Sequence, residues 1–102
     1  MAHQISEARA QILSTDAATI IANHAMGLYE LAAIHLTADE PKLPQARLAI
    51  DALGALVEGL AGRLGAENEE VLSEALAQAR MAFVQRSSST TAVEDDHQDG
   101  DS

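Results

Sequence analysis

The sequence predicts an all-α protein: a small three-helix bundle, or a helical hairpin plus one long helix, completed by self-association. Apolar residues recur at steps of three and four in three segments, no segment alternates with period two, and β-branched clusters are few. Ala supplies much of the apolar content of 47%, and Tyr29 and Phe83 are the only aromatics. Each buried position therefore removes little area from water, and a foldable part of roughly 80 residues sits near the lower limit for a self-sufficient core. A second copy or a partner would add the missing burial.

Residues 1–13 read as a flexible or short helical extension, because Ile5, Ala8 and Ile12 keep only a weak helical period. The first main helix is predicted over 16–36. Ser14, Thr15 and Asp16 are N-cap types, and Ile21, Ala25, Leu28, Ala32 and Leu36 form a stripe flanked by Ile20, His24, Leu31 and His35. Pro41 disfavours helix before it, and Pro44 suits the first turn of a second helix over 44–63. Ala46, Ala49, Ile50, Leu53, Leu56, Val57, Leu60 and Leu64 make the apolar face of that helix, and Gly62 and Gly65 mark a tight connection.

The third helix is predicted over 66–86, with Glu67, Glu69 and Glu70 at the positive end of its dipole and Arg80 and Arg86 towards the other. Its buried stripe is Val71 or Leu72, then Ala75, Leu76, Ala79 and Phe83. Residues 14–86 thus form the helical domain. The remainder, 87–102, reads SSSTTAVEDDHQDGDS and is expected to stay disordered, since it has too little apolar area to bury.

The net charge is −10, shared equally between two unequal parts. Residues 1–93 carry eleven acids against all six bases, and residues 94–102 carry five acids and no Lys or Arg. Neither part supplies the basic surface that a phosphate backbone needs, so direct nucleic-acid binding is not expected. The absence of Cys removes disulfide, thiolate and Cys–metal chemistry and suits a reducing cytoplasm. No secretory signal pattern opens the chain, and charges interrupt every apolar run well short of a membrane span.

Two runs resemble a known family. LPQARLAIDALGALVE is similar to a Leu-x-x-Ala-Arg-x-x-Ile-Asp-x-Leu-x-x-Leu pattern, and LAQARMAFV to a Leu-x-x-x-Arg-Met-x-Tyr/Phe-Val ending. Both patterns belong to the bacterial domain of unknown function 1844, small helical proteins without an assigned activity. The matching positions are Leu43, Ala46, Arg47, Ile50, Asp51, Leu53, Leu56, Arg80, Met81, Phe83 and Val84. Many members carry a polar Lys-Thr-x-Gly-Asn-Leu-Thr type turn where this chain has LAGRLG, so Gly62 and Leu64 match but the Asn and the capping Thr do not. Members often lie near translation-factor and ribosomal-protein genes, and the resemblance therefore implies a translation-linked setting as an alternative role.

No catalytic, cofactor-binding or metal-binding set emerges. His24 and His35 are eleven residues apart, about 16 Å along one helix, and no His-x-x-x-His spacing exists. Asp39–Glu40 falls in a loop, and the Glu67–Glu70 cluster has an ordinary role at a helix start. There is no Gly-x-Ser-x-Gly elbow, and GLAGRLG lacks the strand and the Lys-Ser/Thr of a phosphate loop.

One specific contact is expected. An antiparallel hairpin turning near Gly65 brings position 51 opposite position 80, which predicts a register-setting pair between Asp51 and Arg80, with Arg47 sharing. The functional expectation is a non-catalytic, cytoplasmic protein-interaction module that forms a homodimer or other homo-oligomer and needs no cofactor. The alternative is a translation-linked regulator binding a basic partner through its acidic tail; a small-ligand binder or enzyme ranks below both.

Overall fold

The computed structural model describes the backbone of residues 2–101 and the side chains of residues 6–89. Four helices follow in order: α1 (Ala2–Ser14), α2 (Ala17–Thr37), α3 (Leu43–Gly59) and α4 (Ala66–Asp101). Among the described residues there is no strand. Helices α2, α3 and α4 are the three main predicted helices, and each packs against the other two. The result is an all-α bundle with α3 and α4 as its hairpin.

Helix α1 ends by its own polar residues. The Ser14 and Thr15 hydroxyls both donate to the Gln11 carbonyl, at 3.0 and 2.7 Å, and the Thr15 amide donates to Ile12 O at 3.2 Å. Two side chains expected to cap the following helix thus close the preceding one, a local competition open to any short hydroxyl side chain. Asp16 takes the N-cap position of α2 with extended φ −61° and ψ 130°, but its carboxylate makes no capping bond. Every described side chain from Ser6 to Ala17 is exposed, so none of the described side chains of α1 joins the core.

The core is small-residue rich, as the composition requires. Its buried members are Ala22, Ala25, Ala32 and Leu36 of α2, Ala46, Ala49, Ile50 and Leu53 of α3, Leu64 of the turn, and Leu72, Ala75, Leu76 and Ala79 of α4. Leu53 and Leu72 are the largest fully buried side chains. Ile21 and Leu28, predicted in the α2 stripe, are partly buried and pack against the core, while Ala25, Ala32 and Leu36 of that stripe are buried in it. Phe83 is partly buried, and of the two residues offered for the start of the α4 stripe, Leu72 is buried and Val71 exposed.

Two boundaries differ from the sequence prediction. Helix α3 stops at Gly59, four residues before Arg63, and residues 60–65 form the turn. Gly62 and Gly65 have φ of +83° and +89°, left-handed values that break the helix and cost an L side chain about 1 kcal/mol or more. At the other end, α4 continues in backbone to Asp101, past the predicted stop at Arg86. No proline follows Arg86, and extending an established helix by a residue is far cheaper than nucleating one. Most of the segment predicted to be disordered lies outside the residues with described side chains.

The turn is held by a residue the sequence prediction had assigned only to the dipole. The two Glu69 carboxylate oxygens accept from the backbone amides of Gly62 at 2.7 Å and Leu64 at 3.2 Å. The Asn68 side-chain amide donates to Leu64 O at 2.8 Å, and the Glu69 amide donates to Gly65 O at 2.9 Å. One carboxylate thereby satisfies two backbone donors of the turn.

Candidate functional site

Helix α2 lies along one side of α4. Tyr29 Oη donates to Gln78 Oε1 at 3.3 Å, an Arg86 Nη2 donates to Ala38 O at 3.3 Å, and Leu36 and Thr37 line a hollow with Ala82, Gln85 and Arg86. Gln78, Ala82 and Arg86 share one helical face at four-residue spacing. Arg80 and Val84 stand two residues away from these, about 200° around the helix. They belong to a face of the hairpin that α2 leaves uncovered.

An open groove of about 310 Å3 occupies that face, lined by Arg47, Ile50 and Asp51 of α3 and by Arg80, Phe83 and Val84 of α4. Ile50, Phe83 and Val84 make it apolar along the middle. Val84 is 60% exposed, and Met81 one turn before Gln85 is 63% exposed. Arg47 Nε stands 3.7 Å from Asp51 Oδ2 along α3, both side chains more than two-thirds exposed. The three residues singled out from the sequence, Arg47, Asp51 and Arg80, therefore line one groove.

The predicted Asp51–Arg80 ion pair is corrected. Arg80 Nη2 instead contacts Glu58 Oε1 at 3.5 Å across the hairpin. The cause is side-chain direction: a helical side chain leans towards the N-terminus of its own helix, and in an antiparallel hairpin that end of α4 faces the C-terminal part of α3. Arg80 is thus carried past Asp51 towards Glu58, which the sequence had left as a solvent-face residue. Buried Gly54 opens the way, since a Cβ there would stand 2.9 Å from Arg80 Nη2, 3.5 Å from Glu58 Oε1 and 3.7 Å from Leu76 Cδ1. The signal was present in the sequence as a glycine in mid-helix, a costly choice unless something must pass close by.

Among the described residues no polar or charged side chain is buried, and no three His, Asp or Glu side chains come together as metal ligands would. His24 is exposed and His35 half-buried on α2, and the His35 carbonyl accepts from the Lys42 amide at 3.2 Å. No described helix is long and apolar enough to cross a membrane.

These features define a class, the small all-α proteins built on an antiparallel helical hairpin with one further helix packed across it. Within that class the chain belongs to the family described as Domain of unknown function (DUF1844), whose pattern it matches over residues 11–85, about three quarters of its length. The match spans α2, the hairpin and the groove, and stops before the acidic segment. No curated protein and no solved structure matches the chain.

Proposed function

We propose that this chain is a non-catalytic protein-interaction module that works in the cytoplasm as a homodimer. The observation that carries the reading is the number of large apolar side chains left exposed beside an alanine-rich core. Among the described residues Leu36, Ile50, Leu53, Leu64, Leu72 and Leu76 are buried, but as many large apolar side chains of the bundle, Leu31, Ile34, Leu48, Val71, Met81 and Val84, are 44 to 68% exposed. A bundle with an alanine core gains little from folding alone, and covering such side chains stabilises it by about 25 cal/mol per Å2 of apolar area.

Self-association couples to stability by mass action, so the melting temperature must depend on protein concentration. Thermal denaturation followed by circular dichroism at about 5 and 500 µM should give midpoints several degrees apart, with the concentrated sample higher. Coincident midpoints would contradict the proposal. A second reading, a translation-linked regulator, is favoured by the five acids and absent bases of residues 94–102. It requires that capture of basic ribosomal proteins be lost when residues 87–102 are deleted.

A further inference from the structure

We infer that the groove between α3 and α4 is where a second copy of this chain docks, an inference that rests on the self-association proposed above and assigns it a face. Charge complementarity selects the occupant. The chain carries −10 overall, so two copies repel through most of their surfaces. At this groove the balance differs: Arg47, Asp51 and Arg80 line it together with Ile50, Phe83 and Val84, and Glu58 pairs with Arg80, which makes two bases against two acids. Two of the chain's six bases are spent on this one face.

A locally neutral patch holding both signs is complementary to itself. Under a two-fold axis the same patch meets its own copy, so the arginines of one chain approach the acids of the other while the apolar strips close together. A polybasic or polyacidic partner would meet like charges there on half its contacts. Helix α2 covers the other side of the hairpin, so a docked copy would supply the second layer that α3 and α4 lack on this side.

Charge reversal tests the inference in the full-length chain. One variant carries Arg47→Glu and Arg80→Glu, the other Asp51→Lys and Glu58→Lys. All four side chains are more than half exposed, so both variants should keep the helical circular dichroism of the parent. Each variant alone should associate at least about tenfold more weakly than the parent in sedimentation velocity, and an equimolar mixture should recover heterodimer near parental affinity.

Val84→Glu provides a second measurement that does not depend on paired charges. It should weaken association about tenfold or more, whereas Ile34→Glu on α2 should change it less than about twofold. If the parent associates but these groove variants do so equally well, or if the mixture fails to form heterodimer, the groove is the wrong face and the dimer forms elsewhere. If the parent itself stays monomeric, the self-association proposal fails together with this one.

Discussion

Glu69 and Arg80 show how a single side chain sets the geometry of the hairpin. Glu69 accepts from two turn amides, and charged hydrogen bonds of this kind are worth about 1.5–3 kcal/mol each when enclosed and less when half exposed. Glu69→Gln should therefore lower stability by about 1 kcal/mol and Glu69→Ala by about 2 kcal/mol, read as a shift of the urea midpoint at constant slope. For Arg80 the partner is Glu58, and a double-mutant cycle between these two should give a coupling of about 0.2–1 kcal/mol, as exposed pairs do. The same cycle between Arg80 and Asp51 should be additive. The sequence made the hairpin and the neighbourhood of Arg80 legible, because loop length and helical rise fix which positions face one another. The partner was not legible from spacing alone, since it depends on the lean of the side chain and on the space left by Gly54. At Gly54 two effects oppose: alanine gains about 1 kcal/mol of helix propensity and displaces an exposed pair worth less than that. Gly54→Ala should then be neutral or slightly stabilising.

At the scale of the element, the helices were readable where apolar periodicity is strong and their ends were readable only in part. The break before α3 follows from Pro41 and Pro44, whose effect on the backbone is local. The end of α3 does not, because the turn from Leu60 to Gly65 keeps an apolar pattern while Gly62 takes a left-handed φ. Substitution of Gly65, with φ +89° at the N-cap of α4, should cost about 1–2 kcal/mol in Gly65→Ala even though a Cβ there meets no atom within 4 Å. Leu53 belongs to the same hairpin and has the opposite problem, being fully enclosed. Leu53→Ala should cost about 3 kcal/mol, a large fraction of the stability of so small a domain, and urea titration should show an unfolded or barely folded population in water. Ser14 and Thr15 teach a similar lesson about α1. Their residue types announce a helix boundary, but hydrogen-bond geometry alone tells which helix they serve.

For the whole molecule the decisive feature is the mismatch between what is buried and what is left outside. Alanine supplies much of the core where larger side chains would remove more area from water, and Met81 and Val84 stay exposed beside a groove lined by Arg47, Asp51 and Arg80, with Glu58 paired to Arg80. Family membership adds the hairpin and groove as matched sequence, since residues 11–85 include both. On the proposal made above, this exposed apolar area is kept for a partner, and the mixed charge at the groove would make a second copy of an otherwise acidic chain the fitting one. Sedimentation velocity of the unmodified full-length chain from about 1 to 500 µM tests this most directly. The account predicts a weight-average mass that climbs with concentration from 10.7 kDa towards twice that value. A single species at 10.7 kDa across the whole range would contradict it.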